Sequence, residues 1–153
     1  MGQWLKHFLE SRNIPVAVSD KNYRSKLPAI IVADIIVVSV PISATGKVIS
    51  DIAPHLPGTT LLTDLTSVKV MPMRAMKWAK CATLGMHPMF GPGLASLRGQ
   101  KLVFCRQKNN AHVAFLKKLF QAVGIQVIEM TPAEHDQETA YVQGLTHAFY
   151  VLF

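Results

Sequence analysis

The sequence predicts an α/β domain: a mainly parallel sheet with helices on both faces. Short apolar runs of strand length alternate along the chain with longer amphipathic stretches of helix length. One of those runs, "DIIVVSV" at 34–40, is continuously apolar up to Ser39 and stops at Pro41. That is the pattern of a strand covered on both sides, as in a parallel sheet. The chain shows no internal repeat and no low-complexity linker, so its 153 residues fit about one domain.

Each element has its own signal. "GQWLKHFLESR" opens the chain with Trp4, Leu5, Phe8 and Leu9 on one helical face. "IPVAVSD" is a short β-rich run that ends in Asp20, and "RSKLPAIIVA" reads as a weak helix or loop. After the strand at 34–40, "SATGKVISDIAPHL" predicts a helix with Ser43 as N-cap. "PGTTLLTD" gives a turn and a strand, and "SVKVMPMRAMKWA" a helix with Ser67 near its start. Met71, Met73 and Met76 are read as packing on that helix. "CATLGM" and "QKLVFC" are strands on either side of a loop rich in Gly and Pro. "AHVAFLKKLFQAVG" is an amphipathic helix closed by Gly124, and "IQVIEM" is a further strand. The last helix starts at Thr131 as N-cap, with Pro132 at its first position and acids in the first turn.

Composition narrows the function. Half the residues are apolar and 16% are charged, which supports a real core and excludes a disordered tail. The net charge of +7 favours small anionic ligands. The basic residues are scattered, with no basic run and no aromatic–basic interleaving, so no nucleic-acid partner is expected. Cys81 and Cys105 read as buried reduced thiols, and no metal-ligand spacing is present. The first ten residues are amphipathic and carry Glu10, unlike a secretory leader. The longest apolar stretch is broken by Asp34 and is short of the roughly 20 residues a bilayer requires. A cytoplasmic protein without a membrane partner is the expectation.

Some residues suggest chemistry. A doubly wound sheet ordinarily opens with a strand, a glycine-rich turn and a helix. Here the helix comes first, and Gly2 stands where the last glycine of G-x-G-x-x-G would stand. Asp20 follows 18 positions later, near the spacing of the acid that binds the ribose of a dinucleotide. His87 lies in "LGMHPMFGPGLASL", in a loop after a strand, at the end of the sheet where such folds bind ligands. On the last helix Asp136, Thr139, Gln143 and His147 follow at three- and four-residue steps. They form a polar stripe that requires partners: a ligand, water or another chain.

"LGMHPMFGP", "DLTSVK", "VVSVPI" and "EHDQETAYVQGLTHAF" resemble, in order and spacing, the prephenate dehydrogenase family. The likeness is nearest to the dehydrogenase part of the bifunctional chorismate mutase–prephenate dehydrogenase type. It implies a Rossmann-like fold and NAD-dependent oxidative decarboxylation of prephenate to 4-hydroxyphenylpyruvate, in tyrosine synthesis. Related members take arogenate. It also implies that His87 is the catalytic base or hydrogen-bond acceptor, since an imidazole can take the hydroxyl proton as hydride leaves. His147 matches a histidine at the substrate pocket, and Gln143 is assigned to the same pocket. His135 matches the histidine of a His-Asp pair and is read as structural. The Ser67 hydroxyl either bonds the substrate hydroxyl or the nicotinamide, or serves as a plain N-cap. Ser39 and Pro41 fit a strand-end loop beside the cofactor, or an ordinary tight turn. Asp20 would accept from the adenosine ribose and favour NAD over NADP, although Lys21 and Arg24 offer charges for a 2′-phosphate. Asp64 reads as a strand end, and Lys69 as facing an anion or solvent.

The resemblance further implies that pieces of the family pattern are missing. Residues 1–131 are read as an incomplete dinucleotide-binding domain without its first strand. Residues 132–153 are read as the start of a helical C-terminal domain, the part expected to make the full-length form a homodimer. The expected sheet therefore has a gap at its centre, and the chain alone is expected to show little or no dehydrogenase activity. Arogenate dehydrogenase, a non-catalytic fragment with a binding role and another hydroxyacid dehydrogenase are the competing readings.

Overall fold

The computed structural model describes residues 1–108 and 110–152, with side chains described for 1–106 and 110–142. Helix α1 is Gly2–Glu10, and a short α2 is Leu27–Ile30. Strand β1 is Ile35–Val38, followed by α3 (Ile42–Ile52) and β2 (Leu61–Asp64). Helix α4 (Val70–Met76) leads to β3 (Ala82–Pro88) and β4 (Lys101–Lys108). Helix α5 (Ala111–Ala122), β5 (Gln126–Glu129) and α6 (Pro132–Leu152) complete the chain.

The five strands lie side by side in the order β1-β2-β3-β4-β5. β1, β2 and β3 run parallel, β4 is antiparallel to β3, and β5 is parallel to β4. Successive residues of the central strands point to opposite faces, and both faces are apolar. Leu61, Leu84, Leu102 and Phe104 pack under α1 and α5 with Leu5, Phe8, Leu116 and Phe120. Leu62, Val103 and Cys105 pack on the other face with Ile49 and Ile52 of α3 and Met73 and Met76 of α4. Both cysteines are buried and neither forms a disulfide among the described residues.

Helix ends follow their local chemistry. Thr131 caps α6 by accepting the Glu134 N–H at 3.2 Å, while the Glu134 carboxylate accepts the Thr131 N–H at 2.8 Å. This reciprocal capping box satisfies two otherwise unpaired donors. Gly124 follows α5 with φ of +83°, a conformation that suits glycine.

Several expectations are corrected. "IPVAVSD" is not a strand: residues 14–20 are irregular. A strand requires a neighbour to take its backbone hydrogen bonds, and among the described residues no strand lies beside this segment. The sheet has no central gap either, because β1 through β5 pair without interruption. Ser43 is not the N-cap of α3. Pro41 holds that position, and no side chain caps the helix. Ser67 also stands outside α4, in the loop before it.

Candidate active site

The carboxyl ends of β1, β2 and β3 open on a common cavity of about 570 Å³. Ser39 and Pro41 come from the loop after β1, Ser67 from the loop after β2, and His87 from the end of β3. Met1, at the head of α1, and Phe90 line it from the other side. The rings of Phe90 and Trp4 of α1 meet edge to face at 5.1 Å between centroids, which ties the loop after β3 to that helix. At Gly2, α1 lies close against the loop after β1. A Cβ there would sit 2.9 Å from the Ser39 Oγ. Met1 lines the cavity, so the start of α1, which has no side-chain cap, lies beside it.

A chain of hydrogen bonds runs from α4 and α6 to His87. Asp136 Oδ1 accepts the Lys69 N–H at 2.6 Å, and Oδ2 accepts the Val70 N–H at 2.9 Å. The same Oδ1 lies 2.7 Å from His135 Nδ1, and His135 Nε2 lies 2.8 Å from His87 Nδ1. An ionised carboxylate only accepts, so His135 Nδ1 carries a proton and Nε2 presents its lone pair. His87 therefore donates through Nδ1, and its Nε2 is left as the acceptor. His135 is 1% exposed, sealed under Thr139, whose hydroxyl lies 3.4 Å from its Nε2.

The electrostatics agree with this polarity. Burial works to raise the Asp136 carboxyl, but hydrogen bonds from the Val70 N–H, His135 and the Lys69 N–H outweigh it and hold it low. Burial, then His135 and Lys69, push the His87 imidazole down to about 4, against the pull of Asp136. His87 is consequently a neutral acceptor at pH 7.

Beneath the site lies an ion pair that the sequence reading missed. Lys69 and Asp64 are both 0% exposed, with Nζ 2.6 Å from Oδ2. The same Oδ2 accepts the Thr66 N–H at 2.8 Å and the Thr66 hydroxyl. Lys69 Nζ also donates to the Met86 carbonyl at 2.8 Å. Burial pushes Asp64 up and Lys69 down, each opposed by its partner. Three donors converging on one carboxylate oxygen nonetheless favour the ionised form.

The remaining candidates are placed as follows. Ser67 is half-exposed, and among the described residues its hydroxyl makes no hydrogen bond, so it is not serving as a cap. Asp20 is exposed in a turn and lies outside the cavity lining. Arg24 is engaged: its Nη2 lies 2.6 Å from Asp51 Oδ2, which also accepts the Tyr23 hydroxyl at 2.6 Å. The side chains of Gln143 and His147 lie outside the described residues; their backbone belongs to α6. Among the described residues no group of His, Cys, Asp and Glu could hold a metal ion. No helix of the described chain is long and apolar enough to cross a membrane.

A mostly parallel sheet with a cavity at its carboxyl ends and a helix N-terminus beside it has the layout of a nucleotide-binding α/β domain. Residues 7–129 match the nucleotide-binding domain of prephenate dehydrogenase, and the chain belongs to that family. The T-protein of Haemophilus influenzae is 33% identical over 149 residues, covering 96% of this chain and 40% of that protein. The chain thus spans about two fifths of the length of such a relative. Among solved structures, Synechocystis arogenate dehydrogenase matches with a TM-score of 0.67 at 22% identity, over 93% of this chain and 52% of that one. Prephenate dehydrogenase from Aquifex aeolicus matches with a TM-score of 0.64 at 24% identity, over 78% of this chain and 47% of that one. These likenesses bear out the fold: a Rossmann-like domain, with five strands of which most are parallel.

Proposed function

We propose that this chain forms the nucleotide-binding domain and the proton-accepting part of an NAD-dependent dehydrogenase that converts prephenate to 4-hydroxyphenylpyruvate. The observation that carries the reading is the Asp136–His135–His87 chain, which ends in an acceptor nitrogen at the cavity. The substrate hydroxyl donates to His87 Nε2 as the ring carbon gives up hydride, and the ring then loses carbon dioxide. When bound, NAD supplies the hydride acceptor. Ser67, with its hydroxyl unengaged at the same cavity, orients the reacting hydroxyl or the nicotinamide. Gln143 and His147 are assigned to the rest of the substrate.

The residues present suit a dinucleotide. Met1 and Gly2 offer the start of α1 to the pyrophosphate, Ser39 and Pro41 flank the nicotinamide side, and Asp20 has an exposed carboxylate for the adenosine ribose. The ion pair of Arg24 with Asp51 engages the guanidinium that would otherwise meet a 2′-phosphate, which supports NAD over NADP. Arogenate has the same reacting hydroxyl and suits the same acceptor. Residues from 132 onward are assigned to the start of a helical domain through which the whole protein dimerises, in the cytoplasm.

The test is steady-state NADH formation from prephenate, with the chain joined to the flanking segments its relatives carry. His87→Asn should lower turnover roughly 10²–10⁴-fold with prephenate still bound. Turnover close to wild type would remove His87 from the acid–base role. A wild-type protein that turns over neither prephenate nor arogenate would favour a non-catalytic binding role.

A further inference from the structure

Lys69 is among the largest of the fully buried side chains described, yet it lines no part of the cavity. Its stem crosses β3 at Gly85, where a Cβ would come within 2.9 Å of both the Lys69 Cδ and the Met73 Sδ. Its Nζ reaches Asp64 at the end of β2 and the carbonyl of Met86, the residue before His87. Its backbone N–H donates to Asp136, which in turn holds His135. One residue therefore touches both supports of the acceptor histidine: the strand on which His87 stands and the carboxylate that sets its tautomer.

We propose that Lys69 is a positioning residue of the proposed dehydrogenase site, not a ligand for substrate. It fixes the end of β3 through the carbonyl of Met86, the residue next to His87, and so sets its Asp64-paired ammonium where it opposes a charge on the imidazole. The inference rests on the acceptor role assigned to His87 above. The groups facing His87 are His135 and Asp136 from α6 and Lys69 from the loop before α4, with Asp64 of β2 bound to Lys69. Of these, His135 and Lys69 disfavour a charged imidazole and Asp136 favours one. A cation buried at this depth is expensive unless it is paired and hydrogen-bonded. The Asp64 carboxylate and the Met86 carbonyl supply those partners.

The experiment is a pH titration of the His87 imidazole by nitrogen-15 NMR on this chain, in wild type, Lys69→Met and the double variant Asp64→Asn/Lys69→Met. The double variant removes both charges at nearly constant volume, so it carries the test if the single variant leaves an unpaired carboxylate and does not fold. In Lys69→Met the His87 titration point should rise by about half a pH unit or more, roughly a threefold gain in proton affinity. In the double variant it should rise by less, because the opposing Asp64 charge is removed as well. A purely structural lysine would leave that point unmoved, and an unchanged titration in the folded double variant overturns the proposal. The readout requires no turnover, so it stands apart from the activity test of His87. If the titration shifts while His87→Asn retains activity, the dehydrogenase reading fails and the electrostatic role of Lys69 stands.

Discussion

Replacing Asp136 with Asn should reverse the direction of the hydrogen-bond chain at almost unchanged volume. In the wild type the carboxylate receives three donors: the Lys69 N–H, the Val70 N–H and His135 Nδ1–H. Asparagine has one carbonyl oxygen and an amide that donates. If its oxygen takes the Oδ2 place and keeps the Val70 N–H, the amide nitrogen takes the Oδ1 place, leaves the Lys69 N–H without its acceptor and donates to His135 Nδ1. His135 then carries its proton on Nε2 and donates to His87 Nδ1, so the His87 proton moves to Nε2, the atom that should accept. Bonds to a charged acceptor contribute about 1.5–3 kcal/mol each, and a partly exposed carboxylate recovers some of that from water. The expected loss is about 2–4 kcal/mol, or roughly 5–15 °C in Tm for a chain of this size. Urea denaturation gives the first quantity. Nitrogen-15 chemical shifts of the imidazoles give the tautomers, and turnover in the lengthened protein should fall roughly 10²–10⁴-fold. An Asp136→Asn protein with wild-type stability and an Nδ1-protonated His87 would refute the reasoning.

Stability should fall as the pH drops. The folded His87 is held near 4 against an ordinary 6.5, so between those values the unfolded chain binds the extra proton and folding is penalised. Asp136, held low, adds its own loss below the ordinary carboxyl range. Chemical denaturation at stepped pH should show stability declining from about pH 6.5 downward, and a flat profile to pH 4 would contradict this. Gly85→Ala should cost about 1–3 kcal/mol, because the added Cβ drives into the Lys69 stem and Met73; urea midpoints check it. Asp20→Ala should narrow the ratio of catalytic efficiencies with NAD and NADP in the lengthened protein. A wild type that already prefers NADP would place control with Lys21.

The fold was largely legible because its signals are local. Short apolar runs marked β1 to β5, and the Thr131-Pro132 and Gly124 punctuation marked helix ends. "IPVAVSD" misled because strand propensity says nothing about whether a partner strand is beside it. Ser67, Ser39 and Pro41 were legible as strand-end loops. His87, read as a loop residue, instead stands within β3, whose apolar run ended too early in the sequence to include it. The structure gathers all four in one place. The supports were not. Lys69 is separated from Asp136 by 67 positions and His87 from His135 by 48, and nothing in a one-dimensional pattern reports such contacts. A lysine in a loop ordinarily reads as solvated, and only Gly85, leaving room for its stem, hints otherwise.

The state of His87 in the unmodified chain tests the central claim most directly: its imidazole is a neutral acceptor whose Nε2 is free for the substrate proton. Nitrogen-15 NMR of the ring across the pH range reports both the tautomer and the titration point. An Nδ1-protonated ring titrating near pH 4 is expected from its bond to His135 and its burial. A ring protonated on Nε2, or one titrating close to 6.5 like an ordinary surface histidine, would contradict the acceptor role.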